Sequence, residues 1–404
     1  MSYNFEKIID RADTGSVKWE FVPDWNDPDE TNLINACDGQ NHVLPMWVAD
    51  MDFACPEPVI RALKQRVDHG IFGYTRPDAA DLAAVVSWMT KRHGWQIQAD
   101  WIVSTPGVVP ALHMLVRAFT QPGDRVLVQR PVYYPFFSAI KSNDCHIVSN
   151  SLELADNHYH MDFQDLEEKT ADPKVKLAIL CSPHNPVGRV WNAEELRRFG
   201  RICKHNNVLI ISDEIHADLV YPGRQFVPFS MVDSDFSSNS IICTAPSKTF
   251  NLAGLQTSNI IIADEGYRDQ FKHAIQANGL YGVNPFGMTA CRAAYENGEA
   301  WLDALLSYLH ENLQHMLRYF SNNIKDIKLI QPEGTYLVWL DCRSLGLNSR
   351  ELNDLVLNQA GVCFDPGSLF GPEGDGFQRI NIACPRSLLM EALERIDTAV
   401  KNRR

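Results

Sequence analysis

Short apolar runs alternate with amphipathic stretches between residues 101 and 262. Seven runs carry few polar residues: Trp101–Ser104, Arg125–Val128, His146–Ser149, Leu177–Cys181, Val208–Ser212, Ile241–Thr244 and Asn259–Ile262. Several stretches between them have helical periodicity, as in Val109–Phe119 and Ala193–His205. Strands that are covered on both faces read as continuous apolar runs, and their alternation with helices is typical of doubly wound folds. The pattern predicts an α/β protein with a mainly parallel, doubly wound, seven-stranded sheet.

The segments on either side of this region have a different character. Before it, an apolar stretch at Leu44–Val48 precedes two predicted helices, at Pro56–His69 and Asp78–His93. After it, a long predicted helix at Glu299–Ile324 leads into short elements: strands at Lys328–Ile330, Tyr336–Asp341, Val362–Phe364 and Gln378–Ile382, and helices at Ser349–Leu357 and from Arg386. We therefore predict an N-terminal segment (1–48) that packs with a small α+β domain (289–404), and a large domain (49–288).

Composition narrows the classes of function. The 404 residues carry a net charge of −13, which argues against nucleic acid or an anionic membrane as a partner. The N-terminus has no apolar leader, and no run is long enough to span a bilayer. None of the ten cysteines forms a CxxC pair, so we expect reduced thiols in a cytoplasmic protein and no metal site.

Polar residues follow three of the predicted strands, at the sheet edge where open α/β folds bind ligands. Asp213 follows the fifth run; a buried carboxylate needs a partner, unless it caps a helix or pairs at the surface. Lys248 follows the sixth run; a lysine withdrawn from water has a lowered pKa and can form a Schiff base, whereas an ordinary lysine extends to solvent. Asn185 follows the fourth run in a rigid Pro–Gly turn; its amide can bind a phenolic oxygen or form an Asx turn.

The ends of two further predicted strands contribute candidate residues to the same edge of the sheet. Gly107 lies between the first run and a helix, so the amides of Val108 and Val109 suit a phosphate, although one glycine is a weak signal. Tyr133 follows the second run and can stack on a planar ring or simply pack in the core.

Taken together, these residues and motifs are far more specific than any one of them alone. The order Gly107, Tyr133, Asn185, Asp213 and Lys248, with the motifs NPVG, SDEIHADL and SKTFNLAGL, resembles the fold type I, aminotransferase-like pyridoxal-phosphate enzymes over nearly the whole chain. The resemblance implies that Lys248 carries pyridoxal 5′-phosphate, that Asp213 holds the pyridine nitrogen protonated, and that Asn185 binds its phenolic oxygen. It also implies that Tyr133 stacks on the ring, and that the amides after Gly107 bind the phosphate.

A finer resemblance lies at both ends of the chain. The segments LPMWVADMDF (44–53), HGIFGYT (69–75) and RINIACPR (379–386) are similar to the cystathionine β-lyase, or C–S lyase, branch. This resemblance implies that Arg379 pairs with the substrate α-carboxylate and that Val48 and Asn185 lie beside the substrate. It further implies a homodimer in which Tyr74 reaches the neighbouring subunit's active site.

Three positions depart from the wider family. Ala245 and Gln256 stand where many aminotransferases place a hydroxyl and a basic residue on the phosphate, so other donors, such as Ser247 or Thr244, are needed. His216 stands where a tyrosine near the phenolic oxygen is common; it either lies at the cofactor or is an ordinary buried histidine.

The resemblance implies α,β-elimination from cystathionine or another cysteine S-conjugate, giving pyruvate, ammonia and a thiol, with Lys248 as general base. An aminotransferase of a small amino acid is the main alternative, because both reactions pass through the same carbanion. A cofactor-bound regulatory protein is the alternative outside catalysis, but such a protein would not need Lys248, Asp213 and Arg379 together. The sequence leaves the preferred thioether open.

Overall fold

A computed structural model describes residues 3–24, 33–35, 43–280 and 282–403. Its strands are β1 (Phe21–Pro23), β2 (Leu33–Asn35), β3 (Leu44–Pro45), β4 (Ile102–Thr105), β5 (Arg125–Val128), β6 (His146–Ser149), β7 (Glu153–Ala155), β8 (His158–His160), β9 (Val175–Cys181), β10 (Leu209–Asp213), β11 (Ser240–Thr244), β12 (Ser258–Ile261), β13 (Lys328–Ile330), β14 (Leu337–Asp341), β15 (Val362–Cys363), β16 (Asp365–Pro366) and β17 (Phe377–Asn381).

Its α-helices are α1 (Val17–Glu20), α2 (Glu57–Asp68), α3 (Ala79–His93), α4 (Val108–Phe119), α5 (Pro135–Lys141), α6 (Phe163–Thr170), α7 (Ala193–His205), α8 (Pro246–Thr249), α9 (Glu265–Ala277), α10 (Pro285–Asn297), α11 (Glu299–Asn323), α12 (Ser349–Asp354) and α13 (Arg386–Asn402). A π-helical turn at Leu355–Gln359 continues α12. Among the described residues, no helix is both long and apolar enough to cross a membrane.

The central sheet confirms the predicted α/β fold. Seven strands lie in the order β4-β12-β11-β10-β9-β5-β6. Only β12 runs antiparallel to its neighbours, β11 and β4, and the other six strands share one direction. These seven strands correspond to the seven predicted apolar runs, with ends displaced by up to two residues. The sheet is therefore mainly parallel, as predicted.

Both faces of this sheet are buried, which explains why its strands lack polar alternation. Along β5, Val126 and Val128 belong to one apolar cluster, whereas Leu127 belongs to another. Ile210 and Ile211 of β10 divide between the same two clusters. Because successive side chains point to opposite faces, each strand contributes to two cores.

A second sheet is built from the C-terminal part of the chain, in the order β13-β14-β17-β16. The N-terminal strand β3 pairs with β15 beside this region, with Leu44 opposite Val362. In the register of β16 and β17, Asp365 lies opposite Arg379. This second sheet therefore brings Arg379 to the edge where the N-terminal segment and the central sheet meet.

Candidate active site

A cavity of about 180 Å³ lies at the carboxyl ends of the parallel strands. Nine predicted site residues line it: Gly107, Val108, Val109, Tyr133, Asn185, Asp213, His216, Ser247 and Lys248. The other lining residues are Ala49, Pro110, Cys181, Ile215, Ala253, Gln256 and Thr257. Because β4, β9, β10 and β11 run in the same direction, the residues that follow each strand converge at this one edge.

Lys248 lies in α8, the short helical turn that follows β11. Its Nζ donates a hydrogen bond of 2.7 Å to the main-chain carbonyl of Ala49. Burial, together with the nearby positive charge of Arg379, lowers the pKa of the Lys248 ammonium to about 8. A lysine with this pKa has a substantial neutral fraction near neutral pH, as Schiff-base chemistry and general base catalysis require.

Asp213 ends β10 and is only 3% exposed. One carboxylate oxygen, Oδ1, accepts a hydrogen bond of 3.2 Å from the amide of Ile215. Burial raises the pKa of this carboxyl group to about 7, and the hydrogen bond from Ile215 and the charge of Lys248 offset the effect only in part. A cation bound in the cavity would stabilise the ionised form, so the position suits a protonated ring nitrogen.

Asn185 is held by the turn that follows β9. Its main-chain N–H donates a hydrogen bond to the Cys181 sulfur (3.3 Å), and its main-chain carbonyl accepts one from the main-chain N–H of Tyr133 (3.1 Å). The side-chain oxygen accepts a hydrogen bond of 3.0 Å from Nη1 of Arg379. The Asn185 side chain thus joins the cavity to Arg379.

Tyr133 is partly buried against the cavity, and His216 is buried there. Burial raises the pKa of the Tyr133 hydroxyl far above its ordinary value, so the side chain stays neutral. It also lowers the pKa of His216 to about 3, so the imidazole is neutral as well. The His216 ring meets Tyr336 edge-on, with centroids 6.1 Å apart, and its buried Nδ1 has no protein partner.

The part of the cavity lining that belongs to α4 and its preceding turn has the features of an anion site. Gly107 precedes α4 with φ of +140°, and the first-turn amides of a helix are free donors with a favourable dipole. Ser247, Gln256 and Thr257 line the same cavity. The Thr244 hydroxyl instead donates to the Asn259 carbonyl at 3.0 Å. Ser247 is therefore the better placed of the two hydroxyl donors that the sequence suggested.

Arg379 is buried and is not one of the residues that line the cavity. Its Nη2 contacts a carboxylate oxygen of Asp365 and donates to the Trp47 carbonyl at 3.2 Å. Its guanidinium lies 4.9 Å from the ring centre of Phe370. The hydrogen bond to Asn185 completes this set of partners.

Val48 and Tyr74 also lie outside the cavity lining. The Val48 carbonyl accepts a 2.7 Å hydrogen bond from the side chain of Asn381, and its side chain packs beside Trp47. Tyr74 is fully exposed, and its neighbours Ile71 and Phe72 are more than half exposed. One chain alone therefore does not bring Tyr74 to this site.

Three groups near the site were not predicted from the sequence: the Ala49 carbonyl, the Tyr336 hydroxyl and the Asp365 carboxylate. The Ala49 carbonyl accepts a hydrogen bond from Lys248 and a second one, of 2.9 Å, from the Tyr336 hydroxyl. Asp365 is paired with Arg379. The signals were weak, because a main-chain carbonyl has no sequence signature and the other two residues lie within apolar strand-like segments. Cys181, by contrast, ends a predicted strand and was within reach of the same reasoning.

Comparison with known proteins adds independent information. The family model for aminotransferases of class I and II matches residues 41–396. The chain is 46% identical to cystathionine beta-lyase PatB of Bacillus subtilis, over 98% of this chain and all of that one. It is 33% identical to protein MalY of Escherichia coli, over 99% of each chain. The crystal structure of cystalysin from Treponema denticola, which contains pyridoxal 5′-phosphate, superposes with a TM-score of 0.94 at 39% identity and covers both chains completely.

Proposed function

The chain belongs to the class I and II aminotransferase family, in the branch of its cystathionine β-lyase relatives, and from this premise we propose that it is a pyridoxal-phosphate-dependent C–S β-lyase. It cleaves cystathionine or another cysteine S-conjugate to pyruvate, ammonia and a thiol. The observation that carries the proposal is the placement of Lys248 and Asp213 on one cavity, each with a pKa displaced toward neutrality.

The residues present fit pyridoxal 5′-phosphate. Lys248 would hold its aldehyde carbon, Asp213 its ring nitrogen and Asn185 its phenolic oxygen, while Tyr133 would cover the ring. The amides of Val108 and Val109 would receive the phosphate, with Ser247 as an added donor. The unpartnered Nδ1 of His216 is available to the cofactor or to a bound water. When bound, the cofactor supplies a ring that accepts negative charge from the Cα of an amino acid.

We propose that Arg379 binds the α-carboxylate of the substrate, because it is the cation that Asn185 links directly to the cavity. Val48 would form the adjoining wall, since it precedes the cavity residue Ala49. This orientation places the substrate Cα near Lys248, whose neutral amine takes the Cα proton. The Ala49 carbonyl, which also accepts a hydrogen bond from the Tyr336 hydroxyl, would hold that amine in place.

We also propose that the protein acts as a homodimer. The segment around Tyr74 exposes Ile71 and Phe72 as well, and a contiguous exposed apolar patch is typical of an interface. A groove of about 690 Å³ lies beside it, lined in part by Arg61, Arg66, Arg76, Asp78 and Arg292. In the dimer, Tyr74 would reach the phosphate in the partner's cavity.

The division into residues 1–48, 49–288 and 289–404 also stays a proposal. Two observations support it. The strand pair β3–β15 attaches the N-terminal segment to the C-terminal part. The second sheet is built entirely from residues beyond 327. The active site would then lie where the three parts meet.

A paired assay separates the lyase from its main rival. Purified protein is given L-cystathionine, and pyruvate and free thiol are followed with and without an added keto acid. Release of both products without a keto acid supports the lyase. Turnover that requires a keto acid, with the absorbance cycling to that of a pyridoxamine form, supports an aminotransferase. Protein without cofactor absorbance after reconstitution with pyridoxal phosphate would contradict both.

A further inference from the structure

The proposed carboxylate-binding arginine already has a carboxylate partner within the protein. Asp365 and Arg379 face each other on neighbouring strands, and Nη2 of Arg379 contacts Oδ2 of Asp365. Both residues are only 2% exposed. The Nε of Arg379 is buried without a hydrogen-bond partner. The Nε donor of the guanidinium is therefore available, whereas its Nη2 already contacts an anion that would compete with a bound carboxylate.

The net charge of this pair changes when a substrate carboxylate binds to it. Arg379 and ionised Asp365 together are neutral. A substrate α-carboxylate on Arg379 would place two carboxylates on one guanidinium in a buried site, where like charges interact strongly. Two carboxylates that share a site favour uptake of a proton by one of them.

We propose that Asp365 is a positioning residue that holds the guanidinium of Arg379 before the substrate binds and takes up a proton when the substrate α-carboxylate arrives. The inference rests on the proposed function, because it takes the substrate to be an amino acid bound through Arg379. Asp365 would thereby orient Arg379 and also make the affinity for the substrate depend on pH.

Several groups face this pair and have to be considered. The titratable or charged groups that act electrostatically on Asp365 or Arg379 are Tyr133, Cys363, Lys248, His216 and Tyr336. Burial raises the pKa of both tyrosines and of Cys363, and lowers that of His216, so these four stay neutral between pH 6 and 8. Burial raises the pKa of Asp365 to about 6, although Arg379 opposes the effect. Among the described residues that act on this pair, Asp365 and Lys248 are thus the groups that titrate in this range.

The direction of the effect follows from competition. Above pH 6, Asp365 is ionised and must gain a proton before the substrate carboxylate binds well. Each further unit of pH should therefore raise the KM for the amino acid about tenfold until the pKa of the bound form is reached. The Asp365→Asn variant still offers an oxygen to Arg379 but cannot ionise, so its KM should lack this component.

The experiment compares three holoenzymes between pH 6 and 9: wild type, Asp365→Asn and Asp341→Asn. Asp341 is a matched control, because it lies on β14, the other neighbour of β17, and pairs with Arg343 at 2.8 Å. We expect KM for L-cystathionine to rise with pH in wild type and in the control, and to rise less steeply in Asp365→Asn, with little change in kcat. The titration of the substrate amine is common to all three proteins and cancels in the comparison.

Calorimetry supplies a readout apart from turnover. L-Alanine, which has no leaving group at Cβ, is titrated into each holoenzyme at pH 7.5 in two buffers of different ionisation enthalpy. Wild type and Asp341→Asn should take up as much as one proton more than Asp365→Asn. Equal proton uptake and equal pH profiles in all three would overturn the role of Asp365. Wild-type protein that releases no pyruvate and thiol from cystathionine would instead contradict the proposed function.

Discussion

The ammonium of Lys248 donates a 2.7 Å hydrogen bond to the main-chain carbonyl of Ala49, 199 residues earlier in the chain. The Tyr336 hydroxyl donates to the same oxygen at 2.9 Å. On either side, the carbonyls of Val48 and Asp50 accept hydrogen bonds from the one side-chain amide of Asn381, at 2.7 and 2.6 Å. A fixed segment of main chain therefore orients the Lys248 amine.

Replacement of Tyr336 tests this orientation. Tyr336→Phe keeps the buried ring but removes the hydroxyl that donates to the Ala49 carbonyl. That carbonyl, which accepts the hydrogen bond from Lys248, is then held less firmly. Because a hydrogen bond of this kind contributes about 1 kcal/mol, we expect the lyase kcat to fall by about three- to tenfold with little change in KM. Tyr159→Phe is the control, because the Tyr159 hydroxyl accepts a hydrogen bond of 3.2 Å from the indole of Trp339 in the second sheet. A kcat as high as that of the control would show that Lys248 does not depend on Tyr336.

Asp213 should make the stability of the cofactor-free protein depend on pH and should also support turnover. Its folded pKa of about 7 lies above its ordinary value, so its contribution to stability is present at pH values below about 4 and is lost as the pH rises through 7. In protein stripped of cofactor, Asp213→Asn should therefore raise the melting temperature at pH 8 relative to wild type, and much less at pH 4.5. In the holoenzyme the same change should lower kcat, on the order of 10²-fold, because it removes a fixed charge from the reacting group.

The neighbouring Glu214 provides the control for Asp213. Burial raises its pKa to about 8 as well, but its carboxylate accepts from the Ser212 hydroxyl and the Phe229 amide, both at 2.9 Å, instead of lining the cavity. Glu214→Gln should keep most of the lyase kcat. A loss as large as that in Asp213→Asn would indicate a general effect of the two buried carboxyl groups and not a specific role of Asp213.

The turn that presents Asn185 depends on Gly188. Its φ is +73°, and an added Cβ would lie 2.6 Å from the Cβ of Pro332 and 2.9 Å from its Cα. Gly188→Ala should therefore combine the cost of a left-handed conformation, about 1–2 kcal/mol, with about 1–3 kcal/mol of overpacking. Chemical denaturation should show the loss, and cofactor affinity should fall because Asn185 is displaced.

Gly346 separates the two contributions to this loss. It has a similar φ, +65°, but an added Cβ would meet no atom within 4 Å. Gly346→Ala should lose only the conformational part and should bind the cofactor normally. Equal losses of stability in the two variants would show that the contact with Pro332 relaxes at little cost.

Much of the fold was predictable because its strands are buried on both faces. Continuous apolar runs such as Leu177–Cys181 have no competing interpretation as half-exposed strands. The polar residues that follow three of these runs predict which edge of the sheet binds a ligand. The antiparallel direction of β12 was not predictable, because a short apolar run carries no sign of its direction. The helices α9 and α10 were also missed, since neither received an assignment from the pattern.

The site was predictable to the extent that its residues follow strands in chain order. Lys248, Asp213 and Asn185 have this property, and the structure brings them to one cavity. The pairing of Asp365 with Arg379 depends instead on the register of two short strands. Local periodicity does not encode such a register, so cross-strand partners of this kind emerge only from the structure.

The proposed role of Tyr74 can be tested by mixing inactive subunits. Lys248→Ala should be inactive, and Tyr74→Ala should be impaired if its hydroxyl binds the phosphate. In a heterodimer of the two variants, one site combines Lys248 of the Tyr74→Ala subunit with Tyr74 of the Lys248→Ala subunit, and is therefore intact. The other site carries both changes. Co-expressed, differently tagged and doubly purified heterodimers should show about half the specific activity of wild type, since one of two sites is restored. If Tyr74 served its own subunit, or no site at all, the heterodimer would not exceed half the activity of the Tyr74→Ala homodimer.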